Sequence, residues 1–404
     1  MIYLDNAATS FPKPAAVAEE MARFVREDAA NPGRAGHRMA VNAEKMLDRV
    51  RLKIARLFDI TESERVIFAM NCTDALNMAI KGVVHPINGE KPHVVTTVLE
   101  HNSVSRPLQA MVEAGELDVA RVDCDDDGFV SPDDIIDAMT DQTVLVVMTH
   151  ASNVLGTIQD IATVGEKVRE RGALFCVDAA QTAGIVPISV REMNIDLLAM
   201  PGHKSLYGPT GTGALYVGDR CPEPAEAVAA THEPGNLDQQ ITRRLRPWRE
   251  GGTGGDSSTP TQPALYPYYL EGGTPNTIGI AGLGVALDYH AEHDMNGTLE
   301  HERKLLNLIY DRLNDDDRFT LYGPETPDQC VGTLCLNVEG YEASDVATIL
   351  DDSFNIAVRS GLHCAPYIHK RLGTFPSGAV RISPGPWNTA AHITELLDAL
   401  DQLV

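Results

Sequence analysis

A carboxylate and a lysine, each set at the end of an apolar run, are the groups in this chain most suited to chemistry. Asp178 closes the run Ala173-Leu-Phe-Cys-Val177 and opens Asp-Ala-Ala-Gln181. Lys204 follows Asp196-Leu-Leu-Ala-Met200 within Met200-Pro-Gly-His-Lys-Ser-Leu-Tyr-Gly-Pro209. Both runs read as buried strands. An acid at one strand end and an amine just past the next suit a ligand with a basic ring nitrogen and an aldehyde. The amine condenses with the aldehyde, and the carboxylate keeps the ring nitrogen protonated so that the ring accepts electrons. Pyridoxal 5'-phosphate (PLP) has that chemistry. The chain has only nine lysines, and Lys204 is the one set among glycines and a histidine.

Other polar residues fall at similar places. Asn71-Cys72-Thr73-Asp74 lies between an expected strand (66–70) and an expected helix (74–83), where the Cys72 and Thr73 amides and the Thr73 hydroxyl can hold a phosphate. His101 sits between an expected strand (94–98) and helix (103–114), placed to stack on a pyridine ring and shuttle protons. Asn153 follows an expected strand (144–148), and its amide can donate to a ring oxygen. Each also has a plainer reading: an N-cap by Thr73, a helix-start histidine, a turn asparagine. Their agreement is the signal. Thr73, His101, Asn153, Asp178, Gln181 and Lys204 all fall at the carboxyl ends of successive expected strands, where open α/β sheets place their ligand crevice.

Strands and helices alternating at this spacing imply an α/β domain with a largely parallel sheet. Apolar stripes over 41–58 and 161–171 supply helices that cover it, and Ser131-Pro132 starts another. From about Pro222 to Gly273 the pattern breaks into Pro- and Gly-rich sequence, read as loops at the edge of the large domain and toward a partner subunit. Helices (280–293, 299–313, 344–352), strands (333–338, 379–383) and a closing helix through Ile393, Leu396 and Leu400 form an α+β tail. The expected division is a large domain over 15–275 and a small one over 276–404, joined by segment 1–14. No nucleotide P-loop motif occurs.

Composition narrows the setting. A net charge of -24 disfavours nucleic acid and anionic membranes as partners. No apolar run reaches the roughly 18 residues of a membrane helix, and the N-terminus lacks a signal-peptide pattern, so the expectation is a cytoplasmic protein. Seven cysteines without regular spacing read as reduced thiols. Cys176 and Cys335 lie in apolar strands. Cys364 lies in a glycine-containing loop with Arg359 and His363 close by, a setting that favours an accessible thiolate.

The segments Tyr3-Leu-Asp-Asn-Ala-Ala-Thr9, Asn31-Pro-Gly-Arg-Ala-Gly-His37, Glu271-Gly-Gly-Thr-Pro-Asn276 and Arg359-Ser-Gly-Leu-His-Cys-Ala-Pro366 complete a pattern with the strand-end residues. The chain resembles the class V aminotransferase family, and within it the cysteine desulfurases and selenocysteine lyases. That resemblance implies a fold-type I PLP-dependent transferase working as a homodimer. It implies that His203, with Thr274 of a neighbouring subunit, reaches the cofactor phosphate. It implies a desulfurase that converts L-cysteine to L-alanine, with Lys204 and Cys364 catalytic and His101 carrying protons. The persulfide formed on Cys364 would pass to an acceptor protein, as in iron–sulfur cluster assembly. Arg381 is the candidate clamp for the substrate carboxylate, with Arg359, His37, Asn153 and Asn6 also in the substrate pocket.

The chain departs from the family at Pro201, where many relatives carry a phosphate-binding Ser or Thr, at the extra Ser205, and over 251–255. These departures leave the acceptor and the preferred substrate open. Selenocysteine lyase, cysteine sulfinate desulfinase and aminotransferase are the alternatives. From another class, His363, Cys364 and His369 admit a non-catalytic metal-binding or sulfur-relay protein, though zinc-type spacing is missing.

Overall fold

The computed structural model describes residues 1–33, 36–85, 90–221, 245–254 and 260–403. A short strand β1 (Ile2–Tyr3) precedes helices α1 (Ala15–Glu27) and α2 (Arg38–Leu57). Next come β2 (Val66–Ala69), α3 (Cys72–Val83), β3 (His93–Thr97), α4 (Asn102–Glu113) and β4 (Asp118–Val122). They lead into α5 (Pro132–Asp137), β5 (Thr143–Thr149), α6 (Ile161–Glu170), β6 (Leu174–Asp178), β7 (Leu197–Pro201) and β8 (Gly213–Val217). Strands β2 to β8 form one seven-stranded sheet in the order β2-β8-β7-β6-β5-β3-β4. All neighbours pair in parallel except β8, which runs antiparallel to both β2 and β7. The fold is α/β with a large, mostly parallel mixed sheet.

Helices α7 (Thr277–Glu292) and α8 (Met295–Leu313) lead to the second region. It holds β9 (Phe319–Tyr322), β10 (Leu334–Val338), α9 (Ala343–Phe354), β11 (Ile356–Ala357), β12 (Arg359–Gly361), α10 (Pro366–Arg371), β13 (Ala379–Ile382) and α11 (Ala390–Asp401). Strands β12-β13-β10-β9 make an antiparallel sheet, and β1 pairs in parallel with β11.

The central strands are apolar throughout because helices cover both faces of the sheet. Along β5, Val146 and Met148 enter the core under α2 and α6, while Leu145 and Val147 enter the core under α3 and α4. That period-2 split follows from the pleat. Ile280, Ala281, Leu283 and Leu287 of α7 join the first of these cores. A third core joins Ile2 and Leu4 to α8, α9, α11 and the antiparallel sheet.

Six strands lie outside the sequence expectation: β1, β11 and β12, of only two or three residues each, and β4, β8 and β9. β4 is an edge strand whose pattern, Asp-Val-Ala-Arg-Val, mixes polar and apolar residues, and β8 follows a Gly-Pro-Thr-Gly-Thr-Gly stretch that reads as loop. β9 is short and half-buried. Of the irregular stretch expected over 222–273, residues 222–244 and 255–259 lie outside the described residues. The described parts carry no helix or strand, yet Leu245, Tyr266 and Leu270 are buried beneath α3 and β8 and are not edge loops.

Arg51 is buried on the core-facing stripe of α2. Its Nη2 donates to both oxygens of Glu271 at 2.7–2.8 Å, and its Nε donates to the Val66 carbonyl. Glu271 also accepts from the Phe68 N–H at 2.7 Å. Removing one partner of a buried pair strands the other charge at a cost of about 3–5 kcal/mol. We expect Glu271→Leu to lower unfolding free energy by about that amount, read from the guanidinium denaturation midpoint.

Candidate active site

Parallel register sets Asp178 of β6 opposite Ala199 of β7, so the Asp178 carboxylate and the loop after β7 emerge side by side. That loop, Gly202 to Gly208, is tight: the Tyr207 N–H donates to the Lys204 carbonyl and the Gly208 N–H to the Gly202 carbonyl, each at 2.8 Å. A Cβ at Gly208 would come within 2.7 Å of the Gly202 carbonyl oxygen, so only glycine fits there. The N-terminal segment ties the loop down. Ser10 Oγ donates to the Lys204 carbonyl, and Thr9 Oγ1 and Lys13 Nζ donate to the His203 carbonyl.

A cavity of about 210 Å³ opens at these strand ends. Cys72, Thr73, His101, Asn153, Asp178, Gln181, His203, Lys204, Arg359 and Arg381 all line it. Asp178 Oδ1 accepts from the Ala180 N–H at 2.9 Å and faces the Cys72 thiol at 3.4 Å. Burial pushes the Asp178 carboxyl up, against the pull of Lys204. Burial likewise holds the Lys204 amine below the usual lysine range, with Asp178 acting in the other direction. Among the described residues no ion pair closes between the two, so each faces the cavity with its chemistry unspent.

Helix α3 begins at the same place. Asn71, not Thr73, is its N-cap, with the Asn71 side chain accepting from Asp74 N–H at 2.9 Å. The Thr73 hydroxyl instead meets Ser103 Oγ at 2.7 Å. His101 is the N-cap of α4: its Nδ1 accepts from the Ser103 N–H at 3.1 Å. The plainer reading therefore holds at His101, which also lines the cavity. Burial, then the positive charges of Lys204, Arg359 and Arg106, push its ring down to about 4. His203 is pushed down to about 4 by burial and by Lys204 and Lys13, and its Nδ1 lies 3.0 Å from Thr9 Oγ1. Arg381 is almost wholly buried rather than exposed on a strand, and donates to the Asn153 carbonyl at 3.1 Å and to Asp5 Oδ1 at 2.6 Å.

Four candidate residues lie outside the cavity wall. Asn6 is spent on the Ser383 carbonyl, Asn388 Oδ1 and the Phe11 N–H, tying the N-terminal segment to the C-terminal region. His37 is the N-cap of α2. Thr274 lines a separate cavity with Arg51, Glu271 and Gly33. Cys364 follows His363, which does line the wall, and its Sγ lies 3.9 Å from Arg359 Nη2. The His363 ring is engaged by His369, the Cys335 thiol and the Arg359 carbonyl, so among the described residues Arg359 is the cation in contact with the Cys364 thiol.

Sequence reasoning missed Asp5, Lys13, Glu100 and Ser103. Asp5 stands in the quoted Tyr-Leu-Asp motif and Ser103 two residues past His101, so both had a local signal. Nothing local marks Lys13, whose Nζ meets the neighbouring Thr9 and Ser10 but also reaches the His203 carbonyl nearly two hundred residues away. Glu100 is fully buried behind His101, with Oε1 accepting from the Thr97 hydroxyl and the Thr149 N–H.

The donor set fits PLP. A desolvated acid and amine without a mutual bond suit a ring nitrogen and an aldehyde, and the α3 start with the Thr73 and Ser103 hydroxyls suits a phosphate. Fold and site together define a PLP-dependent enzyme of fold type I. The sequence matches the family model described as Aminotransferase class-V over residues 2–232 and 236–396. A probable cysteine desulfurase of Methanothermobacter thermautotrophicus is 33% identical over 404 residues, covering 100% of this chain and 94% of the relative. Among solved structures, the apo cysteine desulfurase of Thermococcus onnurineus NA1 superposes with a TM-score of 0.85 at 30% identity, over 100% of this chain and 94% of that one. The Escherichia coli cysteine desulfurase CsdA does so with a TM-score of 0.83 at 27% identity, over 99% and 94%. The chain belongs to the aminotransferase class-V family.

Burial pushes the Glu100 carboxyl up to about 8, against hydrogen bonds from Thr97 and Thr149 that favour its charge. Its Oε2 has no partner. A carboxyl with a raised folded pKa keeps its proton while the unfolded chain releases one, so stability falls as pH rises from about 4.5 to about 8. Glu100→Gln removes that slope. Its denaturation midpoint is expected to gain on the wild type steadily across that window, and a constant difference would contradict the assignment.

Proposed function

We propose that the protein is a PLP-dependent cysteine desulfurase that takes sulfur from L-cysteine onto Cys364 and releases L-alanine. The observation that carries this reading is the grouping of Lys204, Asp178 and Arg381 on one cavity, with the Cys364 thiol one guanidinium away. The remaining six cysteines are buried. Lys204 would hold the cofactor aldehyde, and Asp178 its ring nitrogen. Asn153 would serve the ring oxygen, and Cys72, Thr73, Gln181 and His203 the phosphate side, with Thr274 contributing across a homodimer. Bound there, PLP supplies the sink for electrons released at the substrate α-carbon.

The chain's own groups do the rest. Arg381 clamps the substrate carboxylate, since the planar fork of a guanidinium matches the two oxygens of a carboxylate. His101 spends Nδ1 as an acceptor for its helix start, which leaves Nε2 to move a proton. Its depressed pKa keeps the ring neutral near pH 7, so with Nδ1 an acceptor the proton sits on Nε2, which donates it. Cys364 Sγ bonds to the substrate sulfur as the carbon–sulfur bond breaks. The electron pair stays with the carbon, which takes a proton and leaves as alanine, and the sulfur remains as a persulfide. Arg359 stabilises the attacking thiolate.

The persulfide then passes to an acceptor protein, for uses such as iron–sulfur cluster assembly. No described helix is long and apolar enough to cross a membrane, which is compatible with the cytoplasmic setting we assign. The same proposal divides the chain into a large PLP-binding domain over 15–275 and a small domain over 276–404.

Purified protein incubated with L-cysteine should yield alanine and, with reductant, sulfide in equal amounts. Cys364→Ala should keep the cofactor's visible absorbance and lose cysteine turnover by at least about 100-fold. Alanine release at the wild-type rate by that variant would instead favour a selenocysteine lyase, a sulfinate desulfinase or an aminotransferase.

A further inference from the structure

Cys364 stands on a turn the backbone does not favour. His363 has φ +47° and Cys364 +58°, both left-handed and neither glycine. Such residues are strained and persist where the surroundings over-determine them. Two contacts come from the large-sheet side. Asn153 Nδ2 donates to the His363 carbonyl at 2.7 Å, and the Asn102 N–H donates to the Cys364 carbonyl at 2.6 Å.

The third support comes from beneath and is a chain of hydrogen bonds with a fixed direction. His363 Nε2 lies 3.3 Å from the Arg359 carbonyl, which only accepts, so this nitrogen carries the proton. His363 Nδ1 is then an acceptor, shared between His369 Nε2 at 3.3 Å, which donates, and the Cys335 thiol at 3.9 Å. His369 Nδ1 accepts in turn from the Thr374 hydroxyl at 2.8 Å, a shorter contact than that hydroxyl's 3.3 Å to the His369 carbonyl. Both rings are buried and neutral, and burial pushes them down, His363 to about 2 and His369 to about 4. The chain runs from α10 to the carbonyl of Arg359, whose guanidinium reaches the Cys364 thiol.

We propose that His369 is a positioning residue for Cys364: through His363 it holds the strained turn that keeps the thiol beside Arg359 at the cavity. His363 and His369 were the partners of Cys364 in the metal reading, and the structure gives their ring nitrogens to each other. Among the described residues no group of three metal-binding side chains is found. The proposal rests on Cys364 being the sulfur acceptor, but its first test does not.

In the holoenzyme without substrate, iodoacetamide should label Cys364 first, because the other cysteines are buried. His369→Leu removes the donor, and His369→Gln restores an N–H near the place of Nε2. We expect His369→Leu to change the Cys364 labelling rate by about tenfold and to slow single-turnover persulfide formation by about ten- to a hundredfold, as for a reacting group displaced by about 1 Å. The cofactor's visible absorbance and its affinity should not change. His369→Gln should return both rates to near wild type. Wild-type labelling in His369→Leu overturns the proposal, as does a His369→Gln variant as impaired as His369→Leu. Loss of cofactor affinity together with labelling also overturns it, since that marks a general structural role. Should His369→Leu not fold, Thr374→Val breaks the same chain at its outer end and is held to the same criteria. If the wild type labels as expected but forms no persulfide, the desulfurase reading fails and the positioning claim is judged on labelling alone.

Discussion

A carboxylate and an amine held in one desolvated cavity without touching each other are the constraint on which the rest of the site depends. Burial raises the pKa of Asp178 and lowers that of Lys204, so each is pressed toward its neutral form while the other's charge pulls it back. A direct ion pair would relieve both, and the register of β6 and β7 sets them side by side without one. The fold thus keeps two reactive groups under electrostatic tension. A ligand with a protonatable ring nitrogen and a carbonyl relieves it from both ends.

The surroundings extend that logic. The chain carries a net charge of -24, yet Lys204, Arg359 and Arg381 face the cavity against Asp178. Asp5, which balances Arg381, stands behind it on the N-terminal segment. Low-dielectric walls lined by one sign of charge focus the field on the opening. An acidic protein therefore presents a pocket with three cationic side chains on its wall. His101 and His203, pushed down first by burial and then by nearby cations that include Lys204, are neutral near pH 7.

The sheet and its ligand crevice were legible because they rest on local patterns. Val144 to Met148 and Leu174 to Val177 are apolar on both faces, as strands covered on both sides must be, and the chemistry follows each one within a few residues. What stayed hidden depends on distance or on mixed signals. Thr73 passed as an N-cap because Asn71, two residues earlier, has the same capping chemistry, and only the backbone decides between them. Asn6 read as a pocket residue from its motif, but its amide is consumed by Ser383 and Asn388 at the far end of the chain. The burial of Leu245 and Tyr266 cannot be read from a stretch whose Pro and Gly content erases periodicity.

The N-terminal segment joins these observations. Ile2 and Tyr3 add a strand beside β11, Asp5 pairs with Arg381 of β13, Thr9 meets His203, and Ser10 holds the Lys204 carbonyl. One strap of ten residues therefore touches Arg381, His203 and the lysine loop. It is anchored by Leu4 in the core under the antiparallel sheet, not in the core of the large sheet. The cavity is consequently shared between two cores that are far apart in sequence. Its electrostatics are complete only once β13 and the N-terminus have both docked. Cys364 lies between β12 and β13, at the same junction, so the thiol depends on the long-range contacts that also place Arg381 and the lysine loop.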